Sequence, residues 1–238
     1  ATATFVHRAL GISPDCQVFD ISNACLGFLN GIIVLANMIE LGQVGNGLIV
    51  AAETAEDLVR STVHSLLNDE SLTRKTIKPS FASFTIGSGA VALVVSSSPD
   101  SGHRLIGGAC RANTSHNDLC RGGNNSADTL MATNSEELLV RGVETAALVW
   151  RDFLAELQWQ PEMISRFFCH QVGSAHAKLL METLAIDAAK NFETLAFLGN
   201  VGSVSAPITL AIGVEDGALS PGEKAAVLGI GSGINCLM

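Results

Sequence analysis

Hydrophobic and polar positions in the first hundred residues follow two periods, one typical of strands and one of helices. Short apolar runs bounded by glycine or polar residues predict strands over 16–21, 47–52 and 89–96. Residues 24–41 are apolar nearly all round, which is typical of a helix buried in a core. Residues 56–78 carry most of the local charge and predict a helix followed by an exposed loop. This alternation indicates an α/β protein.

The alternation continues after a turn-rich connector at 97–102, which is the best candidate for a domain boundary. Apolar residues recur at helical spacing over 135–157 and predict a long amphipathic helix. The remaining predictions are strands at 104–112, 166–170, 193–198 and 224–230, helices at 174–185 and 203–217, and loops at 117–127 and 199–202.

Two stretches of the chain repeat each other. The strand, helix and strand of residues 16–52 correspond to those of residues 193–230, at an offset of roughly 177 residues. Such a duplication implies two similar α/β halves packed about a pseudo-twofold axis. We therefore assign residues 1–100 to the remainder of an amino-terminal half and residues 101–238 to a carboxy-terminal half, and the first half offers fewer strands.

Composition and charge exclude several classes of protein. The longest apolar stretch, 26–39, is interrupted by glycine and asparagine and is shorter than the roughly 20 residues of a membrane span. A net charge of −9 disfavours a nucleic-acid binder. Six cysteines form no CxxC pair, so we expect no metal site. No signal peptide precedes them, which predicts reduced thiols in a cytoplasmic protein.

Cys25 is the first candidate for chemistry, because it follows a predicted strand and turn and stands in the first turn of the predicted helix. There the unpaired backbone N–H groups and the helix dipole are expected to lower the pKa of the thiol and favour the nucleophilic thiolate. The alternative is a small buried hydrophobic residue, which is common for a lone cysteine in an apolar helix.

His170 and Asn200 are further candidates. Like Cys25, each is expected at the carboxyl end of a predicted strand, which is where open α/β sheets place ligands. Considered alone, His170 is more readily explained as a structural histidine than as a catalytic one, and Asn200 as a turn or capping residue. His176 has no spacing suited to a metal and is interpreted as a surface or packing residue.

Motifs for nucleotide cofactors are absent from the sequence. The Gly229-Ile-Gly-Ser-Gly233 run has the glycines of a dinucleotide fingerprint, but it follows the last predicted strand and no helix comes after it. There is also no phosphate loop and no Gly-x-Ser-x-Gly elbow. We therefore expect no cofactor.

Four motifs together resemble the thiolase superfamily. They are Ser22-Asn-Ala-Cys-Leu-Gly27, His170-Gln-Val-Gly173, Gly199-Asn-Val-Gly-Ser203 and Gly229-Ile-Gly-Ser-Gly-Ile-Asn-Cys236. The chain resembles the ketoacyl-ACP synthase III group, and within it the enzymes that join two fatty acyl-CoA molecules head to head. The segment 117–122 is similar to theirs as well. Gly173 departs from the bacterial fatty-acid initiators, which commonly have asparagine there, and this weakens a malonyl-ACP assignment.

The resemblance implies a thiolase-like αβαβα fold and a role for each candidate. Cys25 would carry the acyl group as a thioester, while His170 and Asn200 would donate hydrogen bonds to the second acyl thioester as its enolate forms. The backbone N–H groups of Cys25 and of the Gly231–Gly233 loop would form an oxyanion hole. Phe81 and Phe84 would help to shape an acyl tunnel, the alternative being ordinary core residues.

The resemblance also sets expectations for the whole protein. Family members carry roughly a hundred residues ahead of the position of Ala1, including a glutamate proposed as a base from the partner subunit, so we expect this sequence to be a fragment or one piece of a longer polypeptide. A homodimer is expected, with the strand near residues 84–95 as its contact. The substrates would be acyl-CoA or acyl-ACP thioesters. Arg74 and Lys75 could contact a pantetheine or phosphate, although solvated loop charges are the simpler interpretation.

Two other functions remain open at this point. An inactive acyl-binding or partner subunit would keep the fold without condensing anything. Degradative thiolase chemistry would require a second catalytic cysteine near the carboxyl terminus, and Cys236 stands in a context that does not resemble the thiolase one.

Overall fold

The computed structural model describes residues 1–98, 102–125 and 128–238, with the backbone alone for 123–125, 128 and 129. The connector at 97–102 that we expected to separate the two halves therefore lies partly outside the described residues. Within the part described, no helix is both long and apolar enough to cross a lipid bilayer.

A five-stranded sheet forms the centre of the carboxy-terminal part, in the order β3, β9, β8, β6, β7. Its strands are β3 (Cys110–Ala112), β6 (Arg166–Cys169), β7 (Asn191–Phe192), β8 (Ala225–Gly231) and β9 (Asn235–Leu237). The pairs β6–β7 and β6–β8 are parallel, whereas β9 runs antiparallel to both β8 and β3. The central strands are therefore enclosed by neighbours on both edges.

Helices cover both faces of this sheet. On one face, α4 (Ser135–Leu157) and α5 (Ser174–Leu184) pack on a large apolar cluster that includes Phe167 and Leu228. On the other face lies α7 (Ser205–Glu215), where Gly213 meets the ring of Phe168. Adjacent residues of β6 thus contribute to opposite cores, which is why residues 167–169 of this strand are all apolar.

The amino-terminal part is built on a two-stranded antiparallel ribbon. Strands β1 (Asn46–Glu53) and β2 (Gly89–Ser96) pair along their whole length, and α2 (Gly27–Glu40) packs against them. Close packing depends on small residues, because Gly31 meets the Ile49 side chain and Gly47 meets that of Leu35. The helix–strand pairs α2–β1 and α7–β8 are the parts of the predicted repeat that the structure contains.

The remaining elements are short or lie at the periphery. They are α1 (Thr2–Leu10), α3 (Glu56–Leu67), the hairpin of β4 (Cys120–Asn125) and β5 (Asp128–Thr133), α6 (Leu195–Leu198) and a 3-10 helix over Lys78–Thr85. A second, smaller apolar cluster joins α2 to α7 through Leu26, Leu29, Ala206 and Leu237. It lies directly behind the turn that carries Cys25.

Two predicted strands are wrong. Residues 16–21 have no regular structure, because no described strand lies beside them to complete a ladder. Residues 193–198 contain the single-turn helix α6, and the strand of this region is the two-residue β7 that ends before it. The turn at Gly199 needs φ of 69°, and the chain must change direction there to bring Asn200 beside Ile86.

Two further predictions are wrong in part. Of 104–112, only the last three residues form a strand, although the backbone of Ala109 also pairs with that of Met238. The predicted loop 117–127 contains β4, whose Gly and Asn residues are poor strand formers taken singly but gain a full ladder against β5. Residues 126 and 127 of that loop lie outside the described residues.

Candidate active site

Cys25 lies on a sharp turn immediately ahead of α2. The Leu26 N–H donates to the Asn23 carbonyl at 2.8 Å, and Ala24 adopts φ of 43°, a left-handed conformation that is strained for a residue with a side chain. The helix begins at Gly27, so Cys25 precedes it by two residues, and the chain before the turn is not the strand we predicted. The apolar neighbour Leu26 is 1% exposed and anchors the turn in the core.

The expected lowering of the thiol pKa is wrong. Burial raises the pKa of the Cys25 thiol to about 12, and the proximity of Cys120 and then Glu53 adds to this effect. Loss of hydration penalises the thiolate more than a helix that starts two residues later can compensate. At neutral pH the side chain is therefore a thiol.

His170 follows β6 directly, as predicted. Its N–H donates to the carbonyl of Leu228 at 2.7 Å, which continues the β6–β8 ladder by one residue and fixes the ring at the strand end. Burial, and secondarily the nearby His176, lower the pKa of His170 to about 3, so the imidazole is neutral. Its buried Nδ1 has no hydrogen-bond partner in the described part of the chain. A buried N–H without an acceptor is rare, which favours the tautomer protonated at Nε2.

Asn200 lies in a loop that is pinned to the segment before β2. Its N–H donates to the Thr85 carbonyl and its own carbonyl accepts from the Gly87 N–H, both at 2.8 Å. The side-chain Oδ1 accepts from the Gly202 N–H at 3.0 Å. No described residue accepts from Nδ2, so the amide N–H₂ is the part of the side chain that remains available to a substrate.

Glu53 ties the two parts of the chain together beside this loop. From the carboxyl end of β1, its Oε1 accepts from the Ser203 hydroxyl at 2.8 Å and from the Ser203 N–H at 3.3 Å. A Cβ on Gly202 would come within 3.0 Å of the same oxygen, so the contact needs glycine there. The carboxylate thereby fixes the turn that follows Asn200.

A single cavity of about 1810 Å³ brings the principal candidates together. Cys25, His170, Asn200, Gly231 and Phe81 all line it. Two other predicted residues, Phe84 and Gly233, are not part of its lining. Most of the lining is apolar, because the cavity extends along the exposed sides of α1, α2 and β1.

Among the polar residues of the lining to which the sequence interpretation gave no role in the site are Cys120, Glu53 and His176. Glu53 was detectable, because it stands at the carboxyl end of a correctly predicted strand. Cys120 lay in a segment predicted to be a loop. His176 is 8% exposed, and burial lowers its pKa to about 4.

The glycines of β8 allow α2 and the Cys25 turn to approach the sheet. A Cβ on Gly231 would lie 3.2 Å from Leu26 Cγ and 3.7 Å from the backbone nitrogen of Cys25. A Cβ on Gly229 would lie only 2.4 Å from Leu26 Cδ2. The carboxy-terminal glycine loop and the Cys25 N–H are therefore neighbours, as an oxyanion hole formed by both requires.

Comparison with known families agrees with this architecture. The model for 3-oxoacyl-[acyl-carrier-protein] synthase III matches residues 19–114, and the model for the carboxy-terminal region of that family matches residues 154–237. The two matches follow one another in the chain and contain Cys25 in the first and both His170 and Asn200 in the second.

Curated relatives match over nearly the entire chain. The acyl-CoA:acyl-CoA alkyltransferase of Shewanella oneidensis is 41% identical, and the alignment covers 100% of this chain and 70% of that protein. The enzyme of the same name from Xanthomonas campestris is 36% identical with the same coverage. A β-ketoacyl-[acyl-carrier-protein] synthase III from Rhodospirillum rubrum is 29% identical over 98% of this chain.

Solved structures give the same result. A cysteine-to-alanine variant of Xanthomonas campestris OleA superposes with a TM-score of 0.94 at 36% identity, covering 100% of this chain and 68% of that one. A cerulenin-bound crystal of the same protein matches equally well. The fold is therefore thiolase-like. All of this chain aligns with a relative that is 41% identical, and two models of the 3-oxoacyl-ACP synthase III family match it. The chain therefore belongs to that family, in the group that contains the acyl-CoA:acyl-CoA alkyltransferases.

Proposed function

We propose that this protein condenses two acyl thioesters by Claisen chemistry through an acyl-cysteine intermediate on Cys25. The observation that carries the proposal is the convergence of Cys25, His170 and Asn200 on one large, mainly apolar cavity. Cys25 supplies the nucleophile, and the other two supply donors beside it. The similarity to enzymes named for acyl-CoA alkyl transfer supports this chemistry over an inactive partner subunit.

In the first half-reaction, the Cys25 sulfur attacks the thioester carbonyl of the first substrate. The new carbon–sulfur bond forms, the bond to the carrier thiolate breaks, and the proton of the Cys25 thiol leaves with the carrier as its thiol. Because the pKa of Cys25 is raised, attack and proton loss are coupled. The N–H groups of Cys25 and of the Gly231–Gly233 loop stabilise the oxyanion of the tetrahedral intermediate.

In the second half-reaction, a carbon nucleophile forms on the second thioester. A general base takes the α-proton, and His170 Nε2–H and Asn200 Nδ2–H donate to the carbonyl oxygen and stabilise the enolate that forms. The enolate carbon attacks the acyl-cysteine carbonyl, the carbon–sulfur bond to Cys25 breaks, and the departing thiolate recovers the proton from the protonated base. The product is a 3-oxoacyl thioester, and a neutral imidazole suits a donor in this step.

Similarity favours two fatty acyl chains over a malonyl and a short acyl group. The Shewanella oneidensis enzyme named for acyl-CoA:acyl-CoA alkyl transfer is 41% identical to this chain, whereas the synthase III of Rhodospirillum rubrum is 29% identical. Phe81 lines the cavity and belongs to the acyl-binding surface of this proposal, whereas Phe84, on the same 3-10 helix, is not part of the lining and is 47% exposed. The carrier in the proposal is CoA, or ACP as the alternative.

The proposal extends to assembly and location. We place the twofold contact of a homodimer on the strand near residues 84–95. Val94 of β2 is 67% exposed, and no described strand pairs with the edge of β2 that faces away from β1. All six cysteines are free thiols, which supports a cytoplasmic location. The division at residue 100 and the need for a base beyond this chain belong to the same proposal.

Acyl loading followed by mass spectrometry tests the chemistry. Incubation with a long-chain acyl-CoA should add one acyl group, mapped to the Cys25 peptide, and release one CoA. Cys25→Ala should abolish loading, whereas Cys110→Ala, which removes an exposed thiol, should load normally.

The two half-reactions are separable with variants of the donors. His170→Ala and Asn200→Ala should still load but should form the condensed 3-oxo product about 100-fold more slowly, as expected for one lost oxyanion donor. Loading of the wild type at a residue other than Cys25 would refute the proposal. Acyl-enzyme without product in the wild type, whether offered acyl-CoA or malonyl-ACP, would indicate an acyl-binding subunit instead.

A further inference from the structure

A chain of three asparagine side chains links the carboxy-terminal glycine loop to the Cys25 turn and to α2. Asn235 Nδ2 donates to Asn23 Oδ1 at 3.0 Å, and Asn23 Nδ2 donates to Asn30 Oδ1 at 2.8 Å. All three residues are half-buried. The Asn235–Asn23 bond joins residues 212 apart in the sequence and is a tertiary contact, whereas the Asn23–Asn30 bond joins the turn to the helix seven residues later.

One end of this asparagine chain is anchored at the glycine loop. Asn235 lies on β9 opposite Gly231 of β8, and its Nδ2 also donates to the Ser232 carbonyl at 3.4 Å. A Cβ on Gly233 would come within 2.7 Å of the same Nδ2 atom. The amide therefore fills the space that Gly233 leaves open and holds the loop from inside.

The other end is anchored at the turn and the helix behind the nucleophile. Asn23 accepts the Leu26 N–H on its backbone carbonyl and stands two residues before Cys25. Asn30 belongs to the first turn of α2. Because Asn23 uses its side-chain oxygen toward Asn235 and its nitrogen toward Asn30, both the rotation and the position of this amide are fixed.

We propose that Asn235, Asn23 and Asn30 act as positioning residues that set the distance between the Cys25 N–H and the N–H groups of the Gly231–Gly233 loop. The inference rests on the proposed function, because the distance between these N–H groups matters only if they form the proposed oxyanion hole. Donors of this kind act only when they point at the developing charge, and a shift of about 1 Å can cost about 100-fold in rate. A hydrogen-bonded bridge between the two donor segments limits such a shift.

The test compares a reaction that uses the oxyanion hole with one that does not. Acylation of Cys25 by acyl-CoA develops an oxyanion, whereas alkylation of the same thiol by iodoacetamide at pH 9 does not. Both rates are measured on the Cys25 peptide of the intact chain. Asn235→Ala and Asn23→Ala should slow acylation about 10- to 100-fold and change alkylation by less than about twofold.

Matched variants separate positioning from general destabilisation. Asn30→Asp keeps an acceptor for Asn23 and should acylate at nearly the wild-type rate, whereas Asn30→Ala should be slowed. Asn37→Ala removes an exposed amide from the same helix and should have no effect. The double variant Asn23→Ala/Asn235→Ala should be slowed by less than the product of the two single effects, because both single variants remove the Asn23–Asn235 bond.

Acylation within twofold of wild type in the folded alanine variants would overturn the inference, and so would an equal fall in acylation and alkylation. If Asn23→Ala does not fold, the Asn30→Ala and Asn30→Asp pair decides. Failure of the proposed function looks different, because then the wild type itself would not load an acyl group on Cys25.

Discussion

At the scale of single residues, the site pairs a neutral thiol with a neutral imidazole. Burial raises the pKa of Cys25 to about 12 and lowers that of His170 to about 3. A thiolate–imidazolium pair of the protease kind is therefore not the resting state. In the proposed reaction, the thiol loses its proton as it attacks, and the negative charge passes to the substrate oxyanion.

The raised thiol pKa predicts an unusual pH dependence for Cys25. Its alkylation rate should rise about tenfold per pH unit from pH 7 to 10 without a plateau, because the thiolate fraction keeps growing below a pKa of about 12. N-acetylcysteine under the same conditions should level off above its ordinary pKa of about 8.5. Peptide-resolved mass spectrometry after iodoacetamide treatment measures both rates, and a plateau for Cys25 near pH 8 would contradict the prediction.

The two buried histidines predict a loss of stability in mild acid. Their pKa values of about 3 for His170 and about 4 for His176 lie below the unfolded value of 6.5, so the unfolded chain binds protons first. Their contribution to the unfolding free energy is complete above pH 6.5 and falls toward pH 4. The slope is at most about 1.4 kcal/mol per pH unit for each histidine.

Denaturant unfolding of the wild type and of His176→Gln between pH 7 and pH 4 checks this prediction. The variant should lose less stability over the same range, because it has one buried histidine fewer to protonate. Identical slopes in the two proteins would show that His176 does not contribute.

At the residue level, sequence motifs pointed to candidate residues, whose roles stay predictions, and they gave no information where tertiary contacts decide. Cys25, His170 and Asn200 stand in recognisable motifs and all reach one cavity. Neither the raised thiol pKa nor the hydrogen bond of Glu53 to Ser203 is visible in sequence, because each arises from segments that meet only after folding.

At the scale of elements, periodicity located the long helices well and the short strands poorly. The predicted helix 135–157 coincides with α4, because its apolar stripe is long and the Asn134 side chain caps its start. Residues 16–21 are mostly apolar, as a strand requires, but a strand also needs a neighbour for its backbone groups. In 193–198, residues 195–198 form a single helical turn instead, and none of the four is fully buried.

The contact between β8 and α2 predicts that a single methyl group will destabilise the protein. In Gly229→Ala the new Cβ would overlap the side chains of Leu26 and Leu29, which are 1% and 5% exposed and have little room to move. Overpacking of this kind costs about 1–3 kcal/mol. Thermal unfolding should show a lower Tm for this variant, and an unchanged Tm would contradict the prediction. Gly45→Ala, where nothing lies within 4 Å, is the control.

At the scale of the whole molecule, the unpaired edge of the β1–β2 ribbon predicts self-association. Val94→Lys places a charge on the exposed strand and should convert the proposed dimer to a monomer, because an unpaired lysine cannot be buried cheaply in an apolar contact. Leu67→Lys, at an 81% exposed position on α3, should leave the assembly intact. Sedimentation velocity distinguishes these masses, and a dimer that survives Val94→Lys would place the contact elsewhere.

The backbone crossing at Gly87 has a consequence for how variants of this protein are interpreted. A methyl group on Gly87 would fall 1.7 Å from the carbonyl oxygen of Leu198, in the loop that presents Asn200. The backbone cannot move aside as a flexible side chain can, so an alanine at position 87 must displace the Asn200 amide. In a substitution scan, variants of Gly87 would then lose as much activity as variants of the proposed catalytic residues, although Gly87 bears no functional group. Such a loss would reflect the close approach of two backbone segments and not a chemical role for residue 87.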